Sequence, residues 1–571
     1  MEREIKMRKP GMRRMAGVLI AAGIVMAVGW MSAKSQPVEA AEAAGGATAL
    51  WVETYGTMIM PDRAEGKTKE IVLTGARNEY VCAQLGLRTG QDAQAPFTFE
   101  WTALAGAGGK SIPKEKVELF RAADIEVTHP SRENKATGAT RSRPLGFFPD
   151  ALVPLVLKDG TNVANSIKPE KDKTLSFWVD IFIPAGTPAG AYGGSITLKT
   201  DGGAMTVPVK VNVAAVEIPA DASLPSMYNL RLWPHVQANL DNYVAEIMAH
   251  RLQPSNYRYV ETAPAVMDRY NPNGKGFVSV MLSDTTKPSP EREKAVVALL
   301  KTITAHLKEK KLFEHSYIQM KDEPDLAEIP GMIEFAKMIL RNLPEWKGKI
   351  ADTLSKKEGT ELDELLTCHV RPLRCYGAWS WGKWQGREDW DKRRAAGQQL
   401  WFYVSNNQGT PWPTFDVDTP NLGFEPRVMG WAWWFEKAEG HLYWDLMFVP
   451  GWKLHPNPKY PPGDGQLLYP GDFTMPGAPS WVLVKDIKGP VISRRMKVFR
   501  QGIQEWEMLR MAEKKVGYDK VKAIVAPIYT CMGKNGPEEN RYDPAHPMWS
   551  YDEASWDKAR AEVIQLLEGR Q

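Results

Sequence analysis

The chain has 571 residues, 43% of them hydrophobic and 25% charged, with no low-complexity tract, so it is long enough for roughly two to four globular domains and is not a disordered segment. Its net charge of +4 comes from residues 1–14, where six Lys and Arg meet two Glu; the remainder is balanced and lacks the basic excess of a nucleic-acid binder. Cys82, Cys368, Cys375 and Cys531 form no CxxC and stand near no HxxxH or HExxH, which argues against structural zinc and leaves a Cys368–Cys375 bridge and isolated buried thiols both open.

In chain order, the basic start leads into an apolar run from Met15 to Met31. A small-residue zone follows, Ser32-Ala33-Lys34-Ser35 and then Val38-Glu39-Ala40-Ala41. This is the pattern of a secretory signal over residues 1–40, and it predicts an exported protein: periplasmic, cell-surface or extracellular. The run is just short of the ~20 residues that span a bilayer, so an uncleaved anchor is the alternative. No further integral membrane segment is expected.

From Thr48 to about Val213, short β-type runs alternate with turns, among them Glu70-Ile71-Val72-Leu73, Tyr80-Val81-Cys82-Ala83-Gln84-Leu85 and Phe177-Trp178-Val179-Asp180-Ile181. Many short strands with regular turns predict an antiparallel β-sandwich over 48–217, closed by the Pro-containing linker 218–225. After Ser226 the pattern changes. Helical periodicity at 240–252, 291–310 and 329–343 alternates with short apolar runs at 315–320, 349–354, 400–404 and 441–446. Helices between strands imply a parallel sheet, and the segment 226–571 has the size of a (β/α)₈ TIM-type barrel with C-terminal helices, although only five or six units are legible. The predicted class is therefore multidomain α and β, a sandwich followed by a barrel.

One turn carries the chemistry. The strand-like run Tyr317-Ile318-Gln319-Met320 stops at Lys321-Asp322-Glu323-Pro324, and proline ends a ladder, so two adjacent acids stand where a strand gives way to a loop. Barrel enzymes keep their catalytic groups there. Two neighbouring carboxylic groups can divide labour, one donating a proton and one stabilising positive charge. The expected ligand class follows from aromatic composition: eleven of the 21 tryptophans fall between Trp379 and Trp452, and indole faces suit the apolar C–H faces of sugars. Tyr443, Trp444, Trp401 and Trp379, with Asp464 between two glycines, are the candidate sugar contacts; core packing and a plain turn are the competing readings.

With these motifs in place, the chain resembles glycoside hydrolase family 123, the β-N-acetylgalactosaminidase-like family, and its uncharacterised relatives. Asp322-Glu323-Pro324 is one match. Others are Ala76-Arg77-Asn78-Glu79, Ala249-His250-Arg251, Gly440-His441-Leu442-Tyr443-Trp444, Gly463-Asp464-Gly465 and Arg500-Gln501-Gly502-Ile503-Gln504-Glu505-Trp506-Glu507. The resemblance implies substrate-assisted, retaining cleavage of a β-linked N-acetylhexosamine, N-acetylgalactosamine in first place, without metal or cofactor. Asp322 would orient the sugar's 2-acetamido group and Glu323 would serve as acid and then base. The His-x-Gly-Gly lead-in of hexosaminidase family 20 is absent before Asp322. Two departures stand out: Lys321 directly precedes the acids, and Glu505-Trp506-Glu507 replaces an expected acidic pair with tyrosine. The alternatives are a catalytically idle carbohydrate-binding or envelope protein, and a glycosidase for a sugar without the acetamido group. Oligomeric state is not legible.

Overall fold

The computed structural model describes residues 48–131, 144–256, 264–272, 278–282, 285–353, 360–373, 379–380, 383–384, 387–405, 412–419, 423–530 and 548–570. Residues 1–40 and Cys375 and Cys531 lie outside them. Among the described residues no helix is long and apolar enough to cross a membrane.

The N-terminal region builds two sheets. The first has seven strands, all antiparallel, in the order Thr48–Glu53, Glu79–Thr89, Thr174–Ile183, Val117–Val127, Gly146–Pro154, Asp486–Ser493 and Leu468–Asp472. The second runs Ile71–Arg77, Gly203–Glu217, Gly190–Thr200, Leu104–Gly106 and Ser111–Ile112, with Thr98–Trp101 also paired to Gly190–Thr200; its first pair is parallel and the others antiparallel. Period-two burial explains these strands: Val207, Val209, Val211 and Val213 point inward while Thr206, Lys210 and Asn212 face water. Leu85, Phe177 and Val179 of the first sheet share one apolar core with Ile196, Val209 and Val211 of the second. Two strands from far down the chain, 468–472 and 486–493, complete the first sheet, a pairing that no local pattern announces.

The C-terminal region contains eight parallel strands in one sheet. In chain order they are Ser226–Asn229, Pro254–Ser255, Val278–Met281, Ser316–Gln319, Ile350–Asp352, Cys368–Pro372, Gln399–Tyr403 and Gly440–Tyr443. Laterally they run second, first, eighth, seventh, sixth, fifth, fourth, third. That is the circular order of a barrel with one seam open, between the second and third strands among the described residues, so the sheet is a nearly closed, TIM-like barrel. The second and third strands are only two and four residues long. Such short runs leave almost no periodicity to read.

Alternation along these strands sorts the side chains. Met227, Tyr317, Ala351, Cys368, Val370, Trp401, Tyr403 and Leu442 fill the lumen as a core of their own. Their neighbours of opposite parity, such as Tyr228, Ile318, Leu400, Phe402 and Tyr443, pack outward into the core shared with the helices. Gly440 is required by this filling, because a Cβ there would stand 2.2 Å from the Trp401 indole.

Sheet and barrel are locked together by the helix Arg494–Val516, which begins where the strand Asp486–Ser493 ends and is capped by the Ser493 hydroxyl. Its first half is buried and unusually charged. Arg495 pairs with Asp150 at 2.8 Å, while Lys497 and Arg500 hold Asp180 at 2.5 and 2.7 Å. Asp180 also accepts from Trp178 Nε1 at 2.8 Å. On the barrel side Glu505 takes Arg427 at 2.7 Å and Trp431 Nε1 at 2.6 Å. Motifs separate in sequence converge on this joint: Arg251 donates to the carbonyl oxygens of Asn78 and Pro219, and Glu79 accepts from Gln501 and Arg560. The departure at Glu505-Trp506-Glu507 is therefore a matter of packing, with Glu507 accepting from the Ser223 amide at 2.6 Å.

Burial alone would raise the Asp180 pKa, but Arg500 and Lys497 outweigh it and hold the carboxyl below its ordinary value. A depressed carboxylate contributes stability that is complete above its unfolded pKa of about 3.9 and drains away as the pH falls through its lower folded value. Asp180→Asn leaves two buried cations without their counter-charge and is expected to cost about 3–5 kcal/mol of unfolding free energy, measured by chemical denaturation. Its loss of stability in acid, below about pH 4, should also be shallower than that of the parent chain.

Candidate active site

The fourth barrel strand, Ser316–Gln319, ends just before the acid pair, and the turn that follows is pinned at several atoms. The Lys321 amide donates to Thr285 Oγ1 at 3.0 Å. Thr353, the first residue past the fifth strand, donates its hydroxyl to Asp322 Oδ1 and accepts the Glu323 amide at 3.3 Å. Beyond Pro324, Asp325 and Glu328 form a reciprocal capping box that starts the next helical segment. Lys321 points its ammonium to Glu328 at 2.5 Å, which gives this cation a partner other than the acids.

Glu323 has φ +43°, in the left-handed region where a non-glycine residue is held at a cost of order 1–3 kcal/mol. It also precedes a proline, which biases a residue toward extended backbone. The surrounding bonds impose the conformation, and both carboxylates are exposed at the barrel rim. Tyr403, the last residue of the seventh strand and 6% exposed, donates its hydroxyl to Glu323 Oε1 at 3.3 Å. The fourth and seventh strands are not neighbours in the sheet, so this bond crosses the lumen.

Neither Thr353 nor Tyr403 stood out in the sequence. Tyr403 was findable: it lies two residues after Trp401 on the same strand, hence on the same face and nearer the C-terminal end. Trp401 itself is fully buried in the lumen, edge-on to Tyr317 at 5.8 Å, with Nε1 donating to Gln399 at 3.2 Å. Tyr443 is also fully buried, on the outer face of the eighth strand beside Tyr228 and Phe415. Its hydroxyl donates to Asp464 at 3.1 Å and accepts the Gly465 amide at 2.6 Å. Trp444, the next residue, is half-buried at the rim, with Nε1 3.1 Å from both Asp464 oxygens. Gly465 adopts φ +71° against the Trp444 ring, where a Cβ would come within 2.4 Å. Asp464 thus braces the rim tryptophan. The Trp379 side chain lies outside the described residues.

Of the remaining tryptophans in the cluster, Trp390, Trp431, Trp433, Trp434 and Trp452 are buried in cores. His441 is likewise structural: burial lowers its pKa to about 3, its Nδ1 meets the Tyr228 hydroxyl at 2.8 Å, and its ring stacks on Trp433.

A parallel barrel with a strained acid pair at its C-terminal rim and a braced tryptophan beside the opening has the build of a hydrolase for sugars, and sequence comparison makes that class explicit: this is a glycoside hydrolase. Residues 238–512 match the glycoside hydrolase 123 catalytic domain, and residues 54–200 match the glycoside hydrolase 123 N-terminal domain. The chain belongs to glycoside hydrolase family 123. Among solved structures it is similar to a family 123 glycoside hydrolase from Clostridium perfringens, studied for glycolipid glycan hydrolysis, at TM-score 0.65 and 12% identity over 91% of this chain and 97% of that one. It also aligns with an FMN-binding β-glucuronidase from Facaelibacterium prausnitzii L2-6, at TM-score 0.28 and 11% identity over 80% of this chain and 61% of that one. No curated protein matches it.

Tyr403→Phe removes the hydrogen bond on Glu323, worth about 0.5–1.5 kcal/mol, so kcat should fall by up to about tenfold with little change in KM. Thermal unfolding of the variant, measured alongside, should stay close to that of the parent.

Proposed function

We propose that the protein cleaves a β-linked N-acetylhexosamine, N-acetylgalactosamine in first place, by substrate-assisted catalysis with retention. The observation that carries this reading is that both acids sit on one turn, adjacent in sequence, with Thr353 on Asp322 and Tyr403 on Glu323. A retaining enzyme with its own nucleophile needs two carboxyl groups about 5–5.5 Å apart on either side of the sugar. Neighbours on a single turn suit a nucleophile supplied by the substrate.

In the proposed reaction the acetamido oxygen attacks the anomeric carbon as the bond to the leaving oxygen breaks, and Glu323 gives its proton to that oxygen. Asp322, with Oδ1 engaged by Thr353, offers Oδ2 to the acetamido N–H and offsets the positive charge of the oxazolinium ion. Water deprotonated by Glu323 then opens the ring, restoring the acetamide and leaving the β-anomer. Tyr403 holds the Glu323 side chain over the opening.

The same proposal takes residues 48–217 as a sandwich of two face-to-face sheets and 226–571 as a barrel domain, carried by an exported protein whose signal is residues 1–40. The basic start at residues 1–14, the apolar run 15–31 and the small-residue zone after it support export.

Hydrolysis of chromogenic β-glycosides of N-acetylgalactosamine, N-acetylglucosamine, galactose and glucose tests the reading. Turnover should be strongest on the first, and preference for a sugar without an acetamido group would refute it. Glu323→Gln should lose about 10²–10⁴-fold in kcat on substrates with poor leaving groups. A thiazoline mimic of the cyclic intermediate should bind far more tightly than the substrate.

A further inference from the structure

We propose that the rim face formed by Arg231, Trp444, Phe448, His455 and Tyr460 is a subsite for an anionic pyranose, one bearing a sulfate ester or a carboxylate, next to the sugar being cleaved. This inference rests on the glycosidase reading above and specifies its substrate class.

Arg231 lies just past the first barrel strand and Trp444 just past the eighth, which are neighbours in the sheet; parallel strands bring both to the same rim as Asp322 and Glu323. Arg231 Nε is anchored on Asp445 Oδ2, and its guanidinium lies 4.6 Å from the Phe448 ring centroid. The side chain is 37% exposed, and among the described residues its two terminal nitrogens have no acceptor. An immobilised guanidinium with an outward pair of N–H groups is the fork that binds a carboxylate or sulfate through two oxygens.

The aromatic side chains beside it form a continuous patch. Trp444 lies 4.9 Å from Phe448 and stacks on Tyr460 at 5.9 Å, and His455 lies 5.3 Å from Phe448 and 4.3 Å from Tyr460. All four are half-buried and pack on one another. His455 Nδ1 accepts the Asn457 amide at 3.0 Å, so the neutral ring carries its proton on Nε2 as a donor.

Charge distinguishes an anionic sugar from a neutral one. A neutral sugar hydroxyl is read by acceptors as well as donors, and exposed carboxylates usually supply the acceptors. Here residues 446–463 hold Lys453, His455 and Lys459 and no Asp or Glu. Asp445 and Asp464 are buried: Asp445 is engaged by Arg231, Asn229 and the Met447 amide, and Asp464 by Tyr443 and Trp444. What the face presents is donors and cations on an aromatic floor.

The test compares kcat/KM of the full chain on matched disaccharides of β-linked N-acetylhexosamine whose neighbouring residue is neutral, sulfated or a uronic acid. The parent should favour at least one anionic member by tenfold or more, mainly through KM, and the preference should shrink as salt is raised. Arg231→Gln should collapse the anionic-to-neutral ratio toward one, with Arg231→Lys retaining part of it; circular dichroism controls for folding. Equal rates on neutral and anionic members in the parent, or a ratio unchanged in Arg231→Gln, would overturn the subsite. The sulfate and uronate arms separate the two sources of charge. Should no member be turned over, the N-acetylhexosamine reading fails by itself, and calorimetric binding of the sulfated disaccharide to parent and Arg231→Gln still decides the subsite: loss of affinity in the variant upholds it, and equal or absent binding ends it.

Discussion

The molecule is organised around one helix that carries its charges inward. Arg495, Lys497 and Arg500 leave the first turns of Arg494–Val516 and end on Asp150 and Asp180 of the sheet, while Glu505 farther along the same helix receives Arg427 from the barrel side. A buried ion whose partner is displaced costs more than the pair contributes when formed, so this helix accepts a single docking position. Since the helix follows directly from the strand Asp486–Ser493 of the first sheet and packs along the barrel, that one position orients both regions. The barrel rim, and with it the acid turn, inherits its placement from charges that never meet substrate.

This joint also accounts for several of the motifs. Ala76-Arg77-Asn78-Glu79, Arg251 and the segment 500–507 are polar and distinctive, and they meet one another in the joint. Their distinctiveness comes from the narrow geometry of buried hydrogen bonds, which tolerates few substitutes. The position of the acid turn was legible because two carboxyl groups and a proline mark the point where the strand gives way to a loop.

What stayed hidden follows from physics as well. Barrel strands of two and four residues carry no measurable period, and the strands 468–472 and 486–493 join a sheet whose other members lie hundreds of residues earlier. Pairing at that distance is a tertiary choice. Among the aromatic side chains, composition marked a tryptophan-rich segment but could not sort it, because an indole that fills a lumen and an indole at the rim have the same sequence. Trp401 and Trp444 differ through strand position, the first below the rim and the second at it.

The lumen transmits position vertically. Gly440 leaves room for Trp401 at the barrel floor; Trp401 and Tyr403 share one face of a five-residue strand; and Tyr403 touches Glu323. A short, hydrogen-bonded strand moves as a rigid rod, so anything that lifts or tilts the indole is felt by the phenol above it. The placement of the Glu323 carboxyl is thus adjustable from the far end of the barrel. Drift or engineering at the floor, in residues no sugar ever reaches, offers a trimming screw for the chemistry at the top.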